Sequence, residues 1–329
     1  MSGSRNQKIW VTGGAGYIGS NCVELLLDRG MDVIVYDNLS EGHRSAVDAR
    51  AIFIEGDLAD GEFLTKTMCE HRPDAVMHFA ANALVGESMQ NPMKYFRNNV
   101  GGGMNLVDAM LAAKVGRIIF SSTCASYGIP DEIPIHEVLP QNPVNPYGRS
   151  KLMFEQMLHW ISEIHGITYV NLRYFNAAGA SGKFGEHHRI ETHLIPNVIF
   201  AAQGRNASVS IFGTDYPTPD GTCIRDYIHI RDLAEAHALA LEVEHSNSFN
   251  LGTGNGNSVR EVIDTVREVS GKDFAVQEHP RRPGDPPRLI ADSTKANEVL
   301  GWQPQHQDLR KIIESAWSWH EKYPDGYPD

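Results

Sequence analysis

Tyr147 and Lys151 stand four residues apart in the run PYGRSK (146–151). On a helix that spacing puts both side chains on one face, one turn apart. Pro146 suits a helix entrance, and Leu152, Met153, Met157, Leu158, Ile161 and Ile164 follow at helical spacing. Tyr147 and Lys151 should therefore leave the first turn in the same direction. A Tyr hydroxyl ordinarily ionises at about pH 10, and a neighbouring cation favours the phenolate. Such a pair could serve as a general base for a hydroxyl proton. The same spacing also arises by accident, so the elements around it have to decide.

Those elements read as alternating strands and helices. Apolar, β-branched runs at 8–13, 32–38, 51–58, 74–81, 117–122 and 168–176 read as six strands. Helical patterns occupy 17–29, closed by Gly30, a stretch around 101–114, and the run after Tyr147. Strands apolar on both faces and separated by helices predict a parallel sheet covered on both sides, a doubly wound α/β fold of the Rossmann type. The Tyr–Lys pair then falls between the fifth and sixth strands. Beyond residue 176 the pattern loosens into Gly-rich, His-rich and polar stretches. The expected organisation is an NAD-binding domain over 1–176 and a smaller α/β substrate lobe over 177–329. Within the latter, about 225–250, with a helix near 231–244, should return to the main sheet.

The first strand runs into VTGGAGYIGS, where Gly13, Gly16 and Gly19 have G-x-x-G-x-x-G spacing ahead of a helix. Glycines there allow close backbone approach to a pyrophosphate at a helix N-terminus and tight packing of helix on strand. Gly-rich turns are common, but this one sits at the first strand-to-helix junction. Asp37 closes the second strand 18 residues after Gly19. A carboxylate there accepts hydrogen bonds from ribose hydroxyls and repels a 2′-phosphate, which favours NAD over NADP. The competing reading of Asp37 is a turn residue in DNLS.

Composition excludes several classes of function. The 329 residues carry a formal net charge of -12, which argues against nucleic acid or an anionic membrane surface as partner. Cys22, Cys69, Cys124 and Cys223 stand far apart, without the spacing of a zinc site, and read as reduced thiols; no metal is expected. No apolar stretch approaches the roughly 20 residues needed to span a bilayer, and the N-terminus MSGSRNQK lacks the apolar core of a signal peptide. A cytoplasmic location is expected.

The glycine spacing together with Tyr147-x-x-x-Lys151 resembles the extended short-chain dehydrogenase/reductase superfamily. DNL, GDLAD, HFAA, VGES, NNVGG, FSSTCASYG, NPYGRSK, LRYFNAAGA, FGTDYPTPDGTCIRDYIH and GYPD follow in the order found in the UDP-glucose 4-epimerase (UDP-galactose 4-epimerase) family. The resemblance runs from about residue 8 to the C-terminus. It implies interconversion of UDP-glucose and UDP-galactose through a transient 4-keto sugar, with NAD retained. Tyr147 would be the base, assisted by Lys151 and the positively charged nicotinamide, and Thr123 would hydrogen-bond the reacting hydroxyl; a strand-end cap is the other reading of Thr123. NAD would be held by Gly13, Gly16, Tyr17, Ile18, Gly19, Asp37, Asn38, Ser40, Asp57, Leu58, Phe79, Ala80, Ala81, Asn99, Thr123, Tyr147, Lys151 and Phe175. The UDP-sugar would contact Thr123, Tyr147, Asn176, His193, Leu194, Ile211, Phe212, Arg225, Arg282, Asp285 and Leu289. For Asn99 a turn bond, and for Arg225 a surface ion pair with Asp226 or Asp232, are the alternatives.

The chain departs from the family pattern in places. Ala83 falls where some members carry a Lys near the cofactor ribose, and His193 where some have Asn. Nucleotide-sugar dehydratases show Thr-Asp-Glu after the fifth strand, whereas Thr123-Cys124-Ala125 lacks that acid. A non-catalytic NAD sensor would commonly lose the Tyr–Lys pair, and an ordinary dehydrogenase or reductase would exchange its cofactor freely. UDP-xylose/UDP-arabinose epimerases use the same residues. Leu289, where the family carries a residue near the sugar's C2 substituent, leaves more room than a Tyr; weak activity on UDP-N-acetylglucosamine is expected. The helices near 101–114 and 148–164 carry apolar residues on more than one face, and the resemblance implies that they pair in a homodimer.

Overall fold

The computed structural model describes residues 6–282 and 284–328. The N-terminal MSGSR, Pro283 of the RRPGD run and the last residue of GYPD lie outside the described residues. Six strands, β1 (Lys8–Thr12), β2 (Asp32–Asp37), β3 (Ile52–Glu55), β4 (Ala75–His78), β5 (Arg117–Thr123) and β6 (Thr168–Tyr174), form one parallel sheet. A seventh, Asn247–Leu251, pairs with β6, giving the order Asn247–Leu251, β6, β5, β4, β1, β2, β3. This is a Rossmann-type sheet extended by one edge strand.

Side-chain alternation builds a core on each face. Ile9, Val11, Val33 and Val35 meet Val23 and Leu26 of helix Tyr17–Asp28 and Leu233 and Ala236 of helix Ile230–Leu239. Trp10, Ile34, Tyr36 and Phe120 meet Leu64, Met110 and Phe154 of helices Gly61–His71, Gly103–Ala113 and Pro146–His165. Complete burial of such side chains stabilises by about 1.5–3 kcal/mol each.

The strands end earlier than the apolar runs suggest: the third stops at Glu55, the fourth at His78, the sixth at Tyr174. The residues beyond them turn away to form the carboxyl edge of the sheet, where ligands of such folds dock. The helix expected from 101 is preceded by a wider, π-helical segment over Phe96–Gly102. Helix Ile230–Leu239 tightens into a 3₁₀ turn at Ala240–Glu242, and Arg29, the C-cap of helix Tyr17–Asp28, pairs with Glu235 at 2.5 Å.

The remaining chain packs helices Leu194–Ala202, Val259–Ser270 and Leu309–Lys322 over a separate core that includes Val198, Ile199, Ile211, Val262 and Ile313. Three small sheets border it. Val209–Phe212 pairs with Val276–His279; Ile224–Arg225 lies between Asn257–Ser258 and Arg288–Leu289; Tyr227–His229 pairs with Asn176–Ala178. Among the described residues no helix is long and apolar enough to cross a membrane.

Candidate active site

Helix Pro146–His165 begins where its sequence provides a start. Asn145 accepts the Gly148 N–H at 2.8 Å, and Pro146 occupies the first turn, where an N–H would have no partner. Gly148 lies against the turn after β5; a Cβ there would stand 2.5 Å from the Ala125 carbonyl oxygen. That close approach sets the start of the helix against the turn after β5, where the Thr123 hydroxyl acts to lower the pKa of Tyr147. Thr123 also caps the turn Cys124–Ser126, accepting the Ala125 N–H at 3.1 Å. Thr123 thus fills the capping role that was its other reading.

One turn on, Lys151 is buried and donates from Nζ to the Ser121 carbonyl at 2.6 Å, with its ammonium 4.9 Å from the Phe120 ring centre. Burial depresses its pKa to about 7, against the opposing pull of the Glu155 carboxylate. Glu155 is buried in turn and pairs with Arg173 of β6 at 2.6 Å. Arg173 continues to the Tyr127 hydroxyl at 2.9 Å, and Tyr127 donates to Asn250 at 2.8 Å. Burial and the Lys151 charge hold His78, on β4, neutral, down to about 3.

Tyr147 is half-buried, and burial pushes its hydroxyl up to about 12, against the lowering effect of the Thr123 hydroxyl. This differs from the sequence expectation that Lys151 favours the phenolate. The Lys151 ammonium is turned onto the Ser121 carbonyl and does not offset the burial of Tyr147. The chain alone therefore holds the phenol protonated, and a further positive charge is needed to release the proton.

The glycine turn fits a dinucleotide. Gly13 has φ +72°, and a Cβ there would meet the Ala80 nitrogen at 2.5 Å; a Cβ on Gly19 would meet the Gly13 carbonyl oxygen at 2.1 Å. Gly16 is different: its φ is −85°, and its nearest protein neighbour would be 3.4 Å from a Cβ. Protein packing does not demand a glycine at 16, whereas a pyrophosphate approaching the backbone does. Helix Tyr17–Asp28 has no side-chain cap and no acidic residue in its first turn, leaving its N-terminal N–H groups for an anion. Asp37 accepts the Ala15 N–H at 3.0 Å and the Leu39 N–H at 2.8 Å, which fixes the carboxylate at the end of β2. Asn38 joins Asp57 at 2.8 Å and Ser40 joins Asn38 at 2.7 Å, linking the two loops beyond β2 and β3, while Leu58 packs under Gly102.

Other expected contacts are used differently. The Tyr17 hydroxyl donates to Gly179 at 2.7 Å and Ile18 packs on the core, so both face a ligand only through their backbone. Asn99 is occupied internally: it accepts from Asn82 and Asn98 at 2.9 Å and donates to Asn82 at 3.1 Å and Ser150 at 2.9 Å. It ties the loop after β4 to helix Pro146–His165. Phe79 and Ala80 border Gly13 with Ala81 following, and Phe175 is buried with Cys124, Tyr127 and Ala291 next to half-buried Leu289.

In the second lobe Arg225 pairs with Asp285, not with Asp226 or Asp232. Asp226 is fully buried and accepts N–H groups from Thr253, Gly254 and Ala291 at 2.8–3.1 Å. Asn176 donates its side-chain amide to the Asp226 carbonyl at 3.1 Å. Arg282 is exposed and stacks over Phe212 at 3.9 Å. Ile211 is buried in the lobe's core, which leaves only its backbone for a ligand. Leu194 opens its helix, and His193 before it is bound to Glu186 and Glu191, each at 3.0 Å. Burial opposes the charge on His193, but Glu186 and then Glu191 raise its pKa to about 10.

A family model described as the NAD dependent epimerase/dehydratase family matches residues 9–252. The chain belongs to that family. Among similar proteins, the UDP-glucose 4-epimerase of Streptococcus mutans is 52% identical over 98% of this chain and 99% of its own length. The solved UDP-glucose 4-epimerase of Brucella ovis in complex with NAD superposes with a TM-score of 0.92 at 50% identity, covering 94% of this chain and 97% of that one. The Bifidobacterium longum enzyme of the same name, in complex with NAD+ and UDP, gives 0.93 at 38% identity over 98% and 100%.

Within this family frame the sequence reading passed over Glu155, Arg173 and Ser121, which hold Lys151. Glu155 was within reach, since it lies one further helical turn along from Lys151 on the same face. Arg173 and Ser121 come from neighbouring strands and carry no such signal.

The depressed pKa of Lys151 has a measurable consequence. Between about 7 in the fold and its ordinary 10.5, the unfolded chain binds a proton that the cofactor-free fold does not, so stability rises with pH across that window. At about 1.4 kcal/mol per pKa unit, Lys151→Met should remove on the order of 4 kcal/mol of that rise. Chemical denaturation of both cofactor-free proteins at pH 7 and pH 10 measures it; parallel slopes would contradict the burial of the charge.

Proposed function

We propose that Tyr147, Thr123 and Lys151 carry the interconversion of UDP-glucose and UDP-galactose through a transient 4-keto sugar. The reaction is an isomerisation by an NAD-dependent UDP-glucose 4-epimerase. What supports the assignment of residues is the placing of Tyr147, beside Thr123, one helical turn before a buried Lys151, at the carboxyl edge that also bears the glycine cradle. Tyr147 takes the proton of the sugar's 4-hydroxyl, Thr123 orients that hydroxyl, and Lys151 supports the phenolate. NAD, when bound, supplies the hydride acceptor and the positive charge that Tyr147 lacks in the chain alone. Gly13, Gly16 and Gly19 receive its pyrophosphate, and Asp37 its adenosine ribose. Tyr147 returns the proton after the ketone has presented its other face, so nothing is oxidised overall and the cofactor stays in place.

Turning the ketone over requires a firm grip on UDP and a loose one on the sugar. We assign the grip to Asn176, His193, Leu194, the backbone of Ile211 and Phe212, Arg225, Arg282 and Asp285, with Leu289 beside the sugar. Arg225 exchanges part of its pairing with Asp285 for the diphosphate, a partner that suits a guanidinium. The NAD-binding lobe is 1–176 and the UDP-sugar lobe 177–329, with about 225–250 returning to the main sheet, which it joins through Asn247–Leu251. A dehydratase is disfavoured because Cys124 stands where its acid would be, and burial pushes that thiol up to about 12. The unpaired thiols support a cytoplasmic location.

A homodimer is part of the proposal. Met153, Trp160 and Ile164 form a stripe on helix Pro146–His165, 40%, 64% and 69% exposed, and Met104 on the adjacent helix is 53% exposed. A second copy would cover them. Light scattering should give twice 36.5 kDa, and Trp160→Asp should shift the protein toward half that mass. A monomeric wild type at micromolar concentration rejects this arrangement.

Tyr147→Phe tests the chemistry. It should keep NAD and UDP-sugar affinity while lowering turnover by at least about 100-fold, the scale of general acid–base catalysis. Chromatography of UDP-glucose, UDP-N-acetylglucosamine and UDP-xylose incubations should show rapid conversion of the first and weak conversion of the second. Near-normal turnover by the variant removes Tyr147 from its role.

A further inference from the structure

Glu186, His188, Glu191 and His193 converge from one loop with the spacing Glu-x-His-x-x-Glu-x-His. One donor atom from each lies within 4.8 Å of all the others. Glu186 Oε1 is 3.2 Å from His188 Nε2 and 3.0 Å from His193 Nδ1, and Glu191 Oε1 is 3.0 Å from His193 Nδ1. Two donors each about 2.1 Å from a common ion stand roughly 3.0–3.4 Å apart, from octahedral to tetrahedral angles. Three of the six separations are those of atoms that can share an ion, and the others are no longer than 4.8 Å.

Hydrogen bonding within the cluster leaves a group over. The Glu191 side chain is only 7% exposed, and its Oε2 is buried with no hydrogen-bond partner. A carboxylate oxygen in that state is costly, and a cation is the partner that suits it. The Glu186 side chain is equally buried, at 6%.

We propose that this loop binds one divalent transition-metal ion of the zinc type through Glu186, His188, Glu191 and His193. Two carboxylates and two neutral imidazoles around a dication sum to zero charge, which suits a buried site. The two nitrogen donors select against calcium and magnesium, which take oxygen ligands. Four protein ligands leave no open position, so the ion is structural. Its place indicates what it holds. The His188 ring meets Tyr17, in the first turn of the glycine-motif helix, at 6.2 Å, and Arg189 donates to the Leu39 and Gly42 carbonyls at 3.0 and 3.1 Å. The loop then enters helix Leu194–Ala202. The ion would lock the second lobe's loop against the elements after β1 and β2. This inference does not depend on which sugar is turned over.

The test uses full-length, tag-free protein stripped with a chelator and titrated with Co(II), whose visible absorption reports its ligands. One equivalent should bind, and Zn(II) should displace it. Glu191→Gln and His188→Gln should each weaken binding at least tenfold, while His245→Ala, a change at an exposed surface histidine, should not. Zn(II) should raise the melting temperature of the wild type and not of the Glu191→Gln variant. Failure of the stripped wild type to bind an equivalent overturns the proposal, whatever the variants do. Binding of equal strength in both loop variants overturns it as well, since the ion is then held by other histidines.

Discussion

A buried positive charge governs the arrangement of the first lobe. Lys151 lies under the sheet's carboxyl edge, fastened to the Ser121 carbonyl and facing the ring of Phe120. Burial works against an ammonium there, Glu155, one turn along its helix, works for it, and Arg173 answers Glu155 from β6. Arg173 in turn leans on Tyr127 and Asn250, which reach the edge strand Asn247–Leu251. The sheet order, the helix entrance at Asn145–Pro146 and the close approach of Gly148 to Ala125 can all be read as conditions for holding that charge where a phenol can use it. Such a chain of buried charges adds little stability, and removing one member leaves the next uncompensated.

The two lobes divide the work by rigidity. The proposed reacting groups project from a strand end and the first turn of a long helix, positions fixed by ladder bonds and a cap. The nucleotide contacts assigned to the second lobe sit on short strands and loops, and Arg225 and Asp285 satisfy each other. A site of that kind can exchange partners as a ligand enters. This suits a reaction in which the nucleotide must stay while the sugar turns.

Much of this was legible in the residues. The six strands of the first lobe are legible because fully buried parallel strands are apolar on both faces, and the Tyr–Lys and glycine motifs both fall at the carboxyl edge of that sheet. What could not be read was side-chain commitment. Asn99 and Ile211 lie in stretches that match the family, yet the amide of one is consumed by Asn82, Asn98 and Ser150, and the side chain of the other by the core. Arg225 was weighed against its sequence neighbours, but its partner is 60 residues away. The π-helical segment at Phe96–Gly102 has no periodicity to announce it, since one extra residue per turn resembles a register error. The convergence of Glu186, His188, Glu191 and His193 has no local pattern to announce it, because the fold of their loop sets which of them meet.

The central claim is that the base is made by charge: the chain alone holds Tyr147 protonated, and the bound cofactor's cation together with Lys151 releases the proton. Titration of Tyr147, labelled with carbon-13 at the carbon bearing its hydroxyl, in cofactor-free and NAD-loaded protein tests this directly. The account predicts ionisation at about 12 without cofactor, a fall of several pH units on loading, and a much smaller fall in Lys151→Met. The same pKa in both states of the wild-type protein would contradict it.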